Sequence, residues 1–470
     1  MPRLASAALA AWLALSPLSA HAQAPSPRTA DLADRVEALR EAYGVPGLAV
    51  AVVQGQEPIL VQGFGTQADG APFGEETPVI AYSATKALSS VVFASLVEDG
   101  FPEPDRFFDP DTFLGELLDD APAAWAQIPF YRLLNHTSGI PTVVDKPAFG
   151  AIASDPTSTN RDLYDVVRQL PLDHEPGGPS RYRQSGYAVA EMILEDWTGA
   201  TWPELMAAHL TGPAGATATV HAHLASGERT SPLLASAGWY QTTARDMAAI
   251  FQALNAERVV SLAFLEGFLY QYTGGADGYS LGSILETIDG VRTIGHRGGG
   301  ARAQIRYAPS RQVGVAVFTE ATEADNRELA VHVADLLMRE VALNQRVVTP
   351  VSALLWRLSA RPAADLVAAY DAEKAREVAV YDFSRAERAV NLTGYALLRA
   401  ERLDDAIEVF ALNVREHPES ANAHDSLGEA YLARGDRQRA LASYRSALSL
   451  DPENERIQQT VAELAAAIDG

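Results

Sequence analysis

Near the carboxy end of this 470-residue chain, a 34-residue period leaves room for one kind of architecture, a stack of paired helices. Gly394 recurs as Gly428, Ala406 as Ala440, Phe410 as Tyr444 and Pro418 as Pro452, all between Glu387 and Asn454. Small residues at fixed places let the two helices of a hairpin approach closely, and each proline ends the second helix of its pair. Chance is a poor explanation for four matches in one register. Upstream, the segment from Arg346 to Pro350 carries a proline that disfavours helix just before it. The chain therefore divides at about residue 350, and a helical composition follows.

The period resembles the tetratricopeptide repeat. Leu427, Tyr431 and Ala447 fill further positions of that pattern in the second copy, while Thr393 and Asn413 depart from it in the first. Residues 352–386 read as a degenerate first helix pair, bringing the array to the ~3 repeats such stacks need. The resemblance implies an all-α solenoid over residues 346–470 with a concave face for a protein partner. Packing of the same helices on the preceding domain or on a second subunit is the other reading.

At the opposite end, residues 1–22 read as a secretory signal peptide. Arg3 supplies the charge, Leu4 to Leu15 the apolar run, Pro17 the break and Ala20-His21-Ala22 the small-x-small cleavage form. The expected location is secreted or periplasmic, with no membrane span once the signal is removed. Sixty acids against 37 bases, a net charge of -23, argue against nucleic acid or an anionic membrane as partner. The absence of cysteine excludes disulfides, thiolate metal sites and a cysteine nucleophile, so an exported chain of this kind is held by packing alone. Only Lys86, Lys146 and Lys374 among the 37 basic residues are lysine.

Residues 23–345 read as one α+β domain. Leu32, Val36, Leu39 and Tyr43 mark a helical face that Gly44 and Pro46 stop. Leu48 to Val53 and Ile59 to Phe64 read as a hairpin of buried strands. Arg292 to Gly295, Gln304 to Tyr307 and Val313 to Phe318 read as three more, followed by a helix over 328–341. Strands at both ends around a mostly helical middle imply an antiparallel sheet closed by the two termini, with a helical insert beside it.

Chemistry enters at Tyr82-Ser83-Ala84-Thr85-Lys86, before an apolar helix expected from Ala84 to Glu98. A serine three residues before a lysine at a helix start puts both on one face, with the serine at the positive end of the helix dipole. A buried lysine can lose its proton and serve as a base, whereas arginine cannot. The bland alternative is Ser83 as a cap and Lys86 as a solvated first-turn residue. His221-x-His223 lacks a third metal ligand, and Gly298-Gly299-Gly300 lacks the context of a phosphate loop, so no metal or cofactor is expected. Asp246 reads as a helix-capping residue.

Three further stretches carry a resemblance to the serine β-lactamase and penicillin-binding protein superfamily, in its class C, DD-peptidase and esterase branch. Residues Leu133 to Pro141, with His136-Thr137-Ser138-Gly139, resemble its Leu-Leu-x-His-Thr-Ser-Gly signature. Tyr182-Arg183-Gln184, trailed by Gly186-Tyr187, resembles its Tyr-x-Asn motif, and His296-Arg297-Gly298 its third motif. The resemblance implies Ser83 as nucleophile, Lys86 as its base and Tyr182 as proton relay. It implies backbone N–H groups of Ser83 and Gly299 as the oxyanion hole, Gln184, His296 and Gly298 as substrate-binding, and His136 as structural. An ammonium at Lys86 would lower the pKa of a neighbouring Tyr182 phenol.

Two departures bear on substrate. Gln184 stands where the family has asparagine, and one methylene displaces that amide enough to cost ~100-fold in rate. His296 stands where class C β-lactamases have a charged lysine and is neutral near pH 7, which weakens the hold on a substrate carboxylate unless Arg297 or Arg302 supplies the charge. The expectation is an exported serine hydrolase acting through an acyl-enzyme on ester or amide substrates. An esterase or D-amino-acid amidase ranks ahead of a DD-peptidase, and a β-lactamase comes third. The alternative is a catalytically weak scaffold that senses cell-wall fragments and recruits a partner through its repeats.

Overall fold

The computed structural model describes residues 27–100, 109–144, 146–222, 233–274, 278–299, 302–320 and 329–469. The expected signal at 1–22 lies outside them, as do His223 and Gly300.

Helix α1 (Pro27–Ala42) leads into β1 (Gly47–Gln54), which turns back as β2 (Glu57–Gly65). Two residues, Val79–Ile80, form β3, and α2 runs from Thr85 to Glu98. Two further short strands follow in the helical insert, β4 (Val220–His221) and β5 (Tyr240–Thr242), and pair with β3 as a small sheet in the order β3-β5-β4. The main sheet is completed by β6 (Tyr279–Ser280), β7 (Ser283–Ile288), β8 (Val291–Gly298), β9 (Ala303–Ala308) and β10 (Val313–Thr319). Its order is β2-β1-β10-β9-β8-β7-β6, and every neighbouring pair is antiparallel. The two ends of the domain meet inside it, with Leu48 opposite Thr319 and Val52 opposite Val315.

Because side chains alternate across a strand, the continuous apolar run of β1 feeds two cores at once. Leu48, Val50 and Val52 join α1 and the helix Leu329–Ala342 on one face. Ala49, Ala51 and Val53 join α2 and the helical insert on the other. The first of these cores does not stop at the domain's edge. It continues through Leu354, Leu355, Leu366 and Tyr370 to Phe410 in the helical region. Arg376 also pairs with Glu41 at 2.8 Å, and Arg357 donates to the Ala42 carbonyl at 2.9 Å. Of the two readings left open for the repeats, packing on the preceding domain is therefore present.

The 34-residue pairing has a direct physical cause. A Cβ on Gly394 would lie 2.5 Å from the Phe410 ring, and one on Gly428 would lie 3.1 Å from Tyr444, so each small residue makes room for its repeat's aromatic. The pairs are Ala386–Arg399 with Leu403–Glu416 and Ala421–Arg434 with Arg437–Leu450. Val351–Leu358 and Ala363–Lys374 precede them, and Glu455–Asp469 follows. One departure from a purely helical region is a two-residue parallel ladder, Thr349–Pro350 with Tyr381–Asp382.

Candidate active site

β3 delivers the chain to a single 3-10 turn, Tyr82–Ala84, before α2 starts at Thr85, one residue later than expected. Tyr82 has φ +48°, a left-handed conformation costly for a residue with a Cβ. The Ala81 N–H donates to the Tyr240 carbonyl at 2.8 Å, and Ala84 N–H donates back to the Ala81 carbonyl at 3.0 Å, which holds the bend. Ser83 therefore sits half-buried on a sharp turn, while Lys86, one helical turn on, is fully buried. Lys86 Nζ donates to the Ala237 carbonyl at 2.5 Å and lies 5.0 Å from the ring centres of both Tyr182 and Tyr187. No carboxylate pairs with it among the described residues, and burial pushes its pKa well below the ordinary amine value. The solvated first-turn reading of Lys86 is thereby excluded.

Around the amine stands a box of aromatic rings. His136, at φ +63°, has its ring 4.6 Å from Tyr182 and 4.5 Å from Tyr279, and its Nδ1 accepts the Arg183 N–H at 3.3 Å. Tyr187 donates to the Leu134 carbonyl at 2.9 Å. His296 Nε2 meets the Tyr279 hydroxyl at 3.1 Å, and its Nδ1 meets the Arg297 carbonyl at 2.5 Å. Burial, reinforced by Lys86, pushes His136 well below its usual pKa and His296 down to about 3. The same burial raises Tyr187 and Tyr279. Tyr182 is 44% exposed as a residue, yet burial at its hydroxyl end raises its pKa, with Ser83 and Gln184 opposing from nearby. This corrects the expectation that Lys86 would lower the Tyr182 phenol. Desolvation of the phenolate outweighs what its neighbours offer.

Ser83 opens into a cleft of about 390 Å³ lined by Val144, Phe149, Leu234 and Trp239 together with Gln184 and Gly299. None of the described residues lining it is charged. Gln184 Oε1 is buried without a hydrogen-bond partner. Gly298 ends β8 and Gly299 follows it, both against the turn at Ser83. A Cβ at Gly298 would lie 2.1 Å from the Ala81 carbonyl oxygen, and Gly299, at φ +58°, would place one 2.5 Å from the Tyr82 ring. Only glycine lets the strand come this close.

The two arginines that could replace a missing lysine part company. Strand alternation turns Arg297 away from His296, toward Glu286 at 3.3 Å. Arg302 stays close, its Nε donating to the Gly299 carbonyl at 3.1 Å and its guanidinium 5.3 Å from the Tyr82 ring centre. The capping expected of Asp246 is done by Thr243, whose side chain accepts the Asp246 N–H at 3.0 Å, and the Asp246 carboxylate accepts the Thr219 hydroxyl at 2.8 Å. His221 is buried against Tyr240, and no cluster of three metal ligands occurs among the described residues.

The structure thus brings Ser83, Lys86, Tyr182, Gln184, His296, Gly298 and Gly299 to one place. Sequence reasoning missed Tyr279 and Trp239, because neither belongs to a motif and short β6 has too few residues for a periodic signal. Trp239, at φ +67° and 52% exposed, stands out only in three dimensions.

Comparisons with known proteins bear on the family and the fold. The family model described as Beta-lactamase matches residues 32–338, and a tetratricopeptide-repeat model matches residues 421–454. Penicillin-binding protein 4 of Amycolatopsis lactamdurans is 27% identical over 357 residues, which cover 66% of this chain and 91% of that protein. Among solved structures, the octameric penicillin-binding protein homologue from Pyrococcus abyssi has 19% identity and a TM-score of 0.54, covering 67% of this chain and 78% of its own. The D-amino acid amidase from Ochrobactrum anthropi SV3, complexed with D-phenylalanine, has 19% identity and a TM-score of 0.53, covering 67% of this chain and all of its own (100%). At such identities these structures share the fold. With the family model spanning well over half of its length, the chain belongs to the beta-lactamase family and carries a tetratricopeptide repeat behind that domain.

Proposed function

We propose that the protein is an exported serine hydrolase that cleaves ester or amide bonds through an acyl-enzyme on Ser83. The observation that carries this reading is the fully buried Lys86 amine, held by one carbonyl and no carboxylate among the described residues, one helical turn behind a serine that opens into an apolar cleft. Lys86 Nζ takes the Ser83 proton as Oγ bonds to the substrate carbonyl carbon. Backbone N–H groups of Ser83 and Gly299 receive the oxyanion. As the bond to the leaving oxygen or nitrogen breaks, the Tyr182 hydroxyl gives that atom a proton and regains one from the Lys86 ammonium. Water then attacks the acyl carbon by the same route in reverse and frees Ser83.

The cleft's uncharged walls favour a bulky apolar group near the scissile bond, and the free Gln184 Oε1 suits an amide N–H on the substrate. Together with the name of the amidase above, this supports D-amino-acid amides and esters ahead of a DD-peptide. A β-lactam, whose carboxylate would depend on Arg302 alone, comes third. The repeat region serves a protein partner, and the leader at 1–22 directs the enzyme out of the cytoplasm.

Intact-mass measurement after exposure to a fluorophosphonate and to penicillin tests the chemistry, with Ser83→Ala as control. An adduct that persists in Ser83→Ala means another nucleophile. No adduct with either reagent on folded protein leaves the scaffold reading. Turnover of D-phenylalanine p-nitroanilide, p-nitrophenyl esters and nitrocefin ranks the substrates. If Gln184→Asn with His296→Lys leaves that ranking unchanged, the reasoning from these two positions fails.

A further inference from the structure

One buried acid has no part in the chemistry above. Glu191 lies in the helix Ser185–Thr198, whose start holds Gln184, and none of its surface reaches solvent. It interrupts the otherwise apolar stretch Ala188 to Leu194. Such a side chain is costly to bury unless its oxygens are met. Here they are. Oε1 accepts the Asn160 side-chain N–H at 2.7 Å and the Ala235 N–H at 3.2 Å, and Oε2 accepts the Ser236 N–H at 2.7 Å. Asn160, from the helix Asn160–Val167, accepts the Leu234 N–H at 3.1 Å. Two side chains from two helices thus gather three consecutive backbone N–H groups of one loop.

The carbonyl side of that loop faces α2. Ser236 O accepts the Ser89 hydroxyl at 2.6 Å, and the next carbonyl, Ala237 O, accepts Lys86 Nζ at 2.5 Å. That carbonyl is the sole hydrogen-bond acceptor of the amine among the described residues. The same loop supplies Leu234, Gly238 and Trp239 to the cleft. Leu234 and Trp239 both have positive φ, at 54° and 67°, so the loop takes its shape against local preference and needs external restraint.

We propose that Glu191 and Asn160 form a positioning clamp: by holding the N–H edge of residues 234–236, they fix the Ala237 carbonyl that aims the Lys86 amine at Ser83. This rests on the reading of Lys86 as the base. Glu191 is a positioning residue because it acts only through the loop. The titratable groups that face it are Glu195 from its own helix and Tyr240 from β5. Those around Lys86 are Tyr182, Tyr187, His136 and His296.

The scarcity of lysine gives a direct test. Full-length protein labelled with 13C at the lysine ε-carbon yields three side-chain signals, and Lys86→Met assigns the one from Lys86. Glu191→Gln keeps the shape but turns one acceptor into a donor aimed at another donor. Its Lys86 titration midpoint is expected to fall by about one unit, since the aligned Ala237 carbonyl favours the ammonium. The fluorophosphonate acylation rate is expected to fall ~10–100-fold, with KM for a small ester little changed. Adding Asn160→Asp exchanges amide and carboxylate across the same hydrogen bond and is expected to restore part of both.

The clamp is refuted if the Lys86 midpoint of a folded Glu191→Gln protein does not drop, or if acylation keeps its wild-type rate. It is equally refuted if both Glu191→Gln and the double variant merely unfold, which would make the role one of stability. The titration does not require Ser83 to be the nucleophile, so failure of the clamp and failure of the hydrolase reading remain distinguishable.

Discussion

Lys86 and Lys374 set the same side chain in two opposite surroundings. Lys374, in the helical region, is 52% exposed and pairs with Glu416. In that region other charges are also met at the surface, Arg415 by Asp371 and Arg434 by Asp404. Lys86 is fully buried, touches a carbonyl and two aromatic rings, and has no counter-ion among the described residues. Its titratable neighbours are displaced toward their neutral forms, His136 and His296 downward and Tyr187 and Tyr279 upward. In the repeats, charge stays in water, where it keeps an acidic chain soluble and adds little stability. In the site, burial disfavours every charged form, the Lys86 ammonium included, which suits the amine to accept a proton.

Lys86→Met makes the sharpest cut. It removes the base while matching the apolar shell, so the fold should persist while acylation by a fluorophosphonate falls ~1,000-fold or more. Arginine is the wrong substitute at this depth, because its permanent charge would be buried against a single carbonyl. A Lys86→Met protein that still acylates at the wild-type rate would end the contrast at its root.

Glycines extend the same comparison to backbone approach. Gly298→Ala would drive a methyl group to 2.1 Å from the Ala81 carbonyl oxygen, displacing the turn that carries Ser83. Acylation should drop ~100-fold, the cost of a shift of about an ångström in a reacting group. Gly394→Ala meets the Phe410 ring at 2.5 Å and should cost ~1–3 kcal/mol in a denaturant melt while leaving the acylation rate unaltered. Reversal of these two outcomes would mean that the repeats, and not the strand end, hold the site in shape.

Acid should expose the histidines. His296 stays neutral in the folded state down to about pH 3, whereas an unfolded histidine takes up a proton near pH 6.5. Between those values the unfolded state binds more protons, so stability is complete above about pH 6.5 and falls as pH drops toward 3, by on the order of a few kcal/mol. Glu191 works in the opposite sense. Burial raises its pKa to about 8, so its contribution is complete below its unfolded value near 4.5 and is lost as pH rises through 8. Equilibrium unfolding of His296→Gln across this range should flatten the acid limb alone.

How much of this was legible in the chain follows from the same physics. The repeats were readable because Gly394 and Phe410, or Gly428 and Tyr444, meet within one helix pair, so local spacing encodes their contact. β1 and β10 were readable as buried runs, although their pairing spans nearly the whole domain. Ser83 and Lys86 were legible because both belong to one helix start. Tyr279 and the Glu191 clamp were not. They act through contacts such as His296 with Tyr279 and Glu191 with Ser236, formed between segments whose proximity no local pattern fixes. The third motif was legible but the length of its strand was not: β8 runs on to Gly298, past the expected end at Gly295, because His296 is buried despite being polar.

The smallest effect is expected at the other lysine, and it completes the contrast. Lys374→Met removes the partner of Glu416, but Arg415 stands beside the same carboxylate at 3.3 Å and can take over its neutralisation. An exposed ion pair with such a substitute is worth ~0.2–1 kcal/mol, and less as salt rises. The denaturant midpoint should therefore move slightly at low ionic strength and barely at 1 M salt, with acylation unchanged. A larger loss that salt does not reduce would mean that Lys374 contributes by packing its alkyl chain, and that the surface of the repeats is less separate from their core than its ion pairs imply.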